Sequence, residues 1–361
     1  MDEWGVVQRL LPRGWQDAAR EFRAFRRARY TDSPSTLLRV LLFHAVNHAG
    51  LRQSVALLKA AGVAEMSQVA LFKRLCRSGA WLAWIARGLC DKLRERPAFA
   101  HAMRVRVVDS TTVQGPASRG TEWRVHYALD LGSLQCDWQE LTDARGAESL
   151  ERLPARAGDV ILADRSYFQP RGMAKLAAAG AHAIVRLRWT HPRLLNLAGG
   201  VTHALDLARK LRVGCAGDWP VLLPLPDGTR LPGRVVAMRL PKPLAERARQ
   251  RARRAAAKKQ HQVHPRTLQA AALVLLFTTL PADQLPAAAV LELYRYRWQI
   301  ELAFKWLKQL LRIGRLPHRH PEAATGWIQA KLVVALLLET LYRNARSFSP
   351  WGYRFEEGQA A

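Results

Sequence analysis

Apolar positions recur at three- and four-residue spacing over Trp15–Tyr30 and Ser35–Ala49, with breaks at Pro34 and Gly50, a period that predicts helices. Residues 1–100 read as helical throughout. Within them Leu51–Ala61, a turn at Gly62 and a Ser67-capped helix Gln68–Arg77 outline a helix-turn-helix offering Gln68, Lys73, Arg74 and Arg77. A plain packing unit of two helices fits the same outline. From about residue 103 the period shortens, because Arg104–Val108, Val160–Ala163 and Ala183–Leu187 are short runs rich in β-branched residues, the last after an Ala-rich helical stretch. Strands alternating with helices predict an α/β core. After Trp189, turns at Gly199-Gly200, Asp227-Gly228 and Pro232-Gly233 separate the runs Trp219–Leu225 and Arg234–Met238, which predicts a small β-rich insertion. The core resumes with a strand at Leu273–Thr279, and a long helix follows Pro286. A final helix over about Ala323–Arg346 carries an apolar face of Leu332, Val333, Leu336, Leu337 and Leu341. The expected units are a helical DNA-binding domain (1–100), a first core segment (101–188), the insertion with a basic arm (189–271), a second core segment (272–325) and a C-terminal helix and tail (326–361).

Charge changes this picture. With 56 Lys+Arg against 29 Asp+Glu the chain carries +27, a self-repulsion that a polyanion would offset. Nucleic acid is the expected partner, although a coding bias toward Ala and Arg on an ordinary enzyme, or a basic ribosomal-type binder, would give similar numbers. The charge concentrates in Arg239–Lys259, where nine basic residues and the single acid Glu246 lie in an Ala-rich helical context, a pattern suited to tracking phosphates. Cys76, Cys90, Cys136 and Cys215 are far apart with no C-x-x-C pair, so no zinc ribbon or disulfide framework is encoded. The acidic start Met1-Asp2-Glu3-Trp4 has no apolar signal core, and the apolar runs Leu273–Phe277 and Leu332–Leu338 are short for a bilayer span. The expectation is a soluble cytoplasmic protein with no membrane partner.

Candidate chemistry lies on the helix after Pro286. At about 100° per residue, Tyr294, Arg297, Lys305 and Lys308 fall within about 40° of Glu301 on one stripe, and the other positions are largely apolar, so the helix reads as mostly buried. Such a stripe is either a ladder of ordinary salt bridges or one acid for a metal beneath cations for phosphates. Two aspartates upstream, Asp109 after Arg104–Val108 and Asp164 after Val160–Ala163, favour the second. Two strand-end aspartates and a helical glutamate can converge on two divalent ions about 3.5–4 Å apart, the arrangement for phosphoryl transfer. Mg²⁺, a hard ion taking oxygen ligands, suits them. His318 and His320 in the loop Leu316-Pro317-His318-Arg319-His320-Pro321, and His261 and His264 after the basic arm, read as solvated loop residues before metal ligands.

The run Tyr294-Arg295-Tyr296-Arg297-Trp298-Gln299-Ile300-Glu301, followed by Phe304-Lys305-x-Leu307-Lys308, resembles the Y-x2-R-x3-E-x6-K signature of the IS-four family of insertion-sequence transposases. Val108-Asp109-Ser110-Thr111, with Pro116, Gly120, Trp123-Arg124-Val125-His126 and Asp130-Leu131, is similar to that family's first-aspartate block, and Ala163-Asp164-Arg165-Ser166-Tyr167 to its second. Thr278-Thr279-Leu280-Pro281 looks like the family's return from insertion to core, and the likeness extends over roughly Leu37 to Leu311, Val69–Leu75 included. The resemblance implies an RNase H-like catalytic core with a β-rich insertion, and cut-and-paste transposition by DNA cleavage and strand transfer at terminal inverted repeats. It implies that Asp109, Asp164 and Glu301 are catalytic and bind two Mg²⁺, with Mn²⁺ able to substitute. It further implies that Tyr294, Arg297, Lys305 and Lys308 contact DNA, with Arg165, Trp123 and His126 close by. The partners would be transposon-end and target double-stranded DNA and a second copy of the chain in the end complex, on the bacterial nucleoid. The strand Leu273–Thr279 holds no tryptophan to stack a flipped base, which leaves Trp298, Trp189 and Tyr296 as candidates, although a tryptophan on an apolar helix face is more often core. Two other functions stay open: a catalytically silent or domesticated DNA-binding descendant, and an RNase H-like structure-specific nuclease.

Overall fold

The computed structural model describes residues 3–28, 30–94, 103–116, 118, 120–190, 193–314 and 316–346. The junction expected at 100–101 and the expected tail beyond 346 lie outside these. In chain order the elements are α1 (Glu3–Leu10), α2 (Trp15–Glu21), α3 (Pro34–Val46), α4 (Leu51–Ala60), α5 (Gln68–Arg94), β1 (Arg104–Val113), β2 (Trp123–Asp130), β3 (Gln135–Asp143), β4 (Asp159–Ala163), α6 (Pro170–Ala178) and β5 (His182–Arg186). There follow β6 (Leu194–Leu195), β7 (Val201–Thr202), α7 (Ala204–Leu207), β8 (Ala216–Pro224), β9 (Arg230–Arg239), α8 (Lys242–Ala257), α9 (Pro265–Ala271), β10 (Leu273–Thr278), α10 (Ala287–Arg295), α11 (Gln299–Gln309) and α12 (Pro321–Arg346).

One mixed sheet runs through the α/β fold in the order β3-β2-β1-β4-β5-β10-β9-β8-β6-β7. β1, β4 and β5 are parallel neighbours, and the other pairs are antiparallel. Strand alternation splits the core into two layers. Val107, Val160, Leu162 and Ile184 point into a layer shared with α2, α3, α5 and α10–α12. Val108, Ile161, Ala163 and Val185 point into the opposite layer, with Tyr167 and α6.

Several expectations change on this frame. Ser33 caps α3, its hydroxyl accepting from the Thr36 amide at 3.1 Å, so Pro34 opens that helix. Gly62 has φ +63 and Ser67 accepts from the Ala70 amide at 3.1 Å, as the helix-turn-helix outline requires, but α5 continues to Arg94, far past Arg77. Its second half buries Trp81, Leu82, Ile85 and Leu89 against the sheet and α12, in one core layer with Val107 and Ile300. The approach to α12 is close: a Cβ added to Gly326 would lie 2.2 Å from the Leu75 carbonyl oxygen. The strands of the insertion extend the core sheet, because β10 pairs with both β5 and β9.

By length and composition α12 could cross a membrane, yet 72% of its apolar window is buried inside the protein, as for a core helix. It also braces the end of α11. Lys331, 1% exposed, donates to the Leu311 carbonyl, lies 3.1 Å from His48 Nδ1 and sits 4.2 Å above the Trp327 ring. Burial holds its ammonium down at about 7. His318, expected in solvent, is 7% exposed and shares a 3.1 Å Nε2–Nε2 hydrogen bond with buried His44. Burial lowers both rings to about 4, keeping them neutral so that one nitrogen can donate and the other accept.

Candidate active site

β4 pairs with β1 only as far as Val108↔Ala163, while β1 runs on beside β2 to Val113. Asp109 is therefore mid-strand, where its neighbour ends, and Asp164 is the first residue past that end. The parallel register brings the two aspartates side by side. By alternation both follow Val107 and Leu162 toward the layer that holds α10 and α11. Asp109 accepts from the Ser110 amide at 2.8 Å. Burial pushes its carboxyl up to about 6; the Ser110 amide and Arg297 pull against this, and Glu148 and Asp164 add to it. Asp164 leads into a 3-10 turn at Arg165–Tyr167 without capping it.

The expected long helix is broken. α10 ends at Arg295, a 3-10 turn covers Tyr296–Trp298, and α11 starts at Gln299. A 3-10 turn advances each residue by about 120°, so the single-helix stripe does not hold across it. The groups still meet at the strand ends. The Tyr294 hydroxyl donates to the Ala163 carbonyl at 3.2 Å, fastening α10 to the last residue of β4. Arg297 Nη1 is 3.5 Å from Asp109 Oδ2, and its Nη2 donates to Glu301 Oε1 at 3.1 Å. On α11, Ile300, Phe304 and Leu307 point into the core, Phe304 edge-on to Tyr127 at 5.9 Å. Glu301, Lys305 and Lys308 each follow one of these inward residues, and all three are exposed. So the helix is half open, not mostly buried. Tyr296, Trp298, Leu302 and Leu310 are exposed as well, Trp298 at 48%.

The carboxylate oxygens of Asp109, Asp164 and Glu301 do not all lie within 4.8 Å of one another. Arg297 stands between the first and the third. Among the described residues the compact metal-type cluster is elsewhere: Cys76, His320 and Glu322, on α5 and the start of α12, with His320 also edge-on to Phe72. Its sulfur and imidazole donors suit softer ions than Mg²⁺.

Arg165 is exposed beside Asp164 and lines a cleft of about 520 Å³ with Arg186, Arg188, Trp189 and Arg251 of α8. The basic helix thus shares a cleft with Arg165, the residue after the second aspartate. Trp189 is packed there, stacked on His264 at 5.1 Å and donating to the Thr267 hydroxyl at 3.0 Å. Trp123 opens β2 opposite Val113, half-buried on the α10–α12 side. His126 lies on β2 at 1% exposure with its Nε2 3.0 Å from the Thr142 hydroxyl, and burial with Arg152 and Arg124 nearby lowers it to about 4. It faces the opposite layer from Glu301. A second basic cleft, of about 450 Å³, is lined by Arg26, Arg27, Lys73, Arg74 and Arg77. Burial and the neighbouring Arg77 hold Arg74 below its usual range.

Two features had no signal in the sequence. At the far end of β1, Arg106 is fully buried and bonds Asp137 (2.8 Å) and Asp159 (3.2 Å), while Arg104 grips Asp159 with two 2.7 Å bonds. At the near end Glu148, in the polar loop after β3, accepts a hydrogen bond from the Ser110 hydroxyl and forms an ion pair with Arg124 Nη1, both at 2.7 Å.

A family profile described as the transposase DDE domain matches residues 100–337. The chain is 33% identical over 356 residues to InsL of insertion sequence element IS186A from Escherichia coli (strain K12), a match spanning 97% of this chain and 96% of the relative. To the transposase for insertion sequence element IS421 from Escherichia coli it is 33% identical over 357 residues, with the same two coverages.

Proposed function

The chain belongs to the DDE transposase family, and from that premise we propose that Asp109, Asp164 and Glu301 are its catalytic acids and that it moves an insertion sequence by cut-and-paste transposition. The observation that carries this is the register Val108↔Ala163, which sets the two aspartates side by side where β4 stops, with Arg297 linking the first to Glu301. The meander β3-β2-β1 continued by parallel β4 and β5 fits an RNase H-like core, extended at one edge by the insertion strands.

The donors fit a hard divalent ion, since all are carboxylate oxygens. Asp109, pushed up to about 6, also carries charge that the nearby cations compensate only in part. We assign two Mg²⁺ to this site, with Mn²⁺ as a substitute. When bound they supply nucleophile activation and stabilisation of the departing 3′-oxygen. The chain's own groups do the rest. Tyr294 fixes the helical segment to the end of β4, so that Glu301 is presented at the aspartates. Arg297 offsets their mutual repulsion and would be available to a scissile phosphate were the acids to hold a cation. Lys305, Lys308 and Arg165 are exposed around the acids and hold flanking phosphates, with Trp123 at the rim, while His126 supports the strand behind Ser110. Tyr296 and Trp298 offer exposed rings on which an unpaired base can stack.

The substrates are double-stranded terminal inverted repeats and target DNA in a bacterial cytoplasm, with two copies of the chain pairing the two ends. The test is Mg²⁺-dependent nicking and joining of DNA carrying the element's own ends. D109N, D164N and E301Q should each abolish product while retaining gel-shift binding of the end. Cleavage retained by any one of them contradicts the assignment of that acid.

A further inference from the structure

We propose that Glu148 is a fourth carboxylate of the metal site, approaching Asp109 from the face of the sheet opposite Glu301. This rests on the reading of Asp109, Asp164 and Glu301 as the metal-binding acids. Ser110 alternates with Asp109 along β1, so its hydroxyl projects to the other face, where it donates to Glu148 Oε1 at 2.7 Å. Arg124 Nη1 is 2.7 Å from the same oxygen. Oε2 has no hydrogen bond among the described residues. The Glu148 carbonyl accepts from Gln169 Nε2 at 2.8 Å, so the loop is tied to the segment that follows Asp164 as well as to the residue that follows Asp109. Glu148 is thereby anchored to both aspartate segments through one carboxylate oxygen and its carbonyl, which leaves the second carboxylate oxygen over. Its charge is among those that raise Asp109.

A second observation is independent of the acids. Tyr167, 1% exposed and three residues past Asp164, has a buried hydroxyl with no fully formed hydrogen bond; the Ser110 side chain is its hydrogen-bonding neighbour, and Asp109, Glu148 and Arg124 are near enough for their charges to act on it. A buried hydroxyl left unpaired is costly. A hydrated ion held by Asp109 and Glu148 would supply such a partner. If instead Glu148 only braces Ser110, an amide would serve equally, because its carbonyl oxygen accepts the same bond.

That difference supplies the test, with Mn²⁺ as the probe on the DNA-free full-length chain, followed by titration calorimetry, and D109N alongside. E148Q should bind Mn²⁺ at least about tenfold more weakly than the parent, with its melting temperature unchanged. Parental Mn²⁺ affinity in E148Q, while D109N has lost it, overturns the inference and leaves the three-acid site standing; parental affinity in both overturns the site itself. Should E148Q fail to fold, the unsubstituted protein decides. Fe²⁺ with ascorbate and peroxide should cut the main chain near residue 148 as well as near 109 and 164, and cuts only at the latter two overturn the proposal.

Discussion

Asp109 keeps its charge where burial, Glu148 and Asp164 all oppose it. An acid whose folded-state pKa lies above its unfolded value binds its proton more tightly when folded. Its contribution to stability is therefore fully present below 3.8 and is lost as pH rises through about 6. D109N removes that charge and can keep the bond from the Ser110 amide. In EDTA at pH 8 the variant should resist urea better than the parent, by up to about 3 kcal/mol, and the two should coincide at pH 3. Equal stability at pH 8 would show that Asp109 is not strained by its surroundings. As candidate acids, Asp109, Asp164 and Glu301 were legible because each stands at a position that a short local pattern marks, a strand run or a helix period. Glu148 was not. Its loop is polar and unpatterned, and its partner Ser110 is 38 residues away.

At the scale of elements, local signals located the strands and helices, and tertiary packing set their lengths. The period over Gln68–Arg77 marks the start of α5, but its continuation to Arg94 depends on Trp81, Leu82 and Ile85 finding the sheet and α12. The break at Tyr296–Trp298 has the opposite origin: neither Gly nor Pro marks it, and it lets Tyr294 reach Ala163 while Arg297 reaches Asp109. Helix periodicity alone cannot register such a turn, and a stripe computed on a straight helix will absorb it unnoticed. Packing between α5 and α12 gives a prediction at this scale. In G326A the new methyl meets the Leu75 carbonyl oxygen at 2.2 Å. The alanine raises helix propensity by about 1 kcal/mol, yet the helices must separate, and a net loss of about 1–3 kcal/mol is expected in denaturant unfolding. A more stable G326A would mean that the interface yields without cost.

Across the whole molecule, one sheet carries both the strands of the proposed site and the insertion. The consequence is functional, because β8–β10 return the chain through α8 to the cleft where Arg251 meets Arg165. The sequence shows the basic run but not its destination, since that depends on β10 pairing with β5. If α8 tracks phosphates, replacing Arg247, Arg251 and Arg254 by Gln should weaken binding to end and unrelated DNA alike. The slope of log affinity against log salt should then fall by up to about 2.7. An unchanged slope would remove α8 from the DNA surface.

The central claim is that metal ions held by the acids at the strand ends act on the departing 3′-oxygen. Its most direct test replaces that oxygen by sulfur at the scissile position of an end substrate and compares Mg²⁺ with Mn²⁺. The account predicts that cleavage of the sulfur substrate is poor in Mg²⁺ and restored by the more thiophilic Mn²⁺, and that the restoration is lost in D164N. A Mn²⁺ to Mg²⁺ rate ratio equal to that of the all-oxygen end would contradict it.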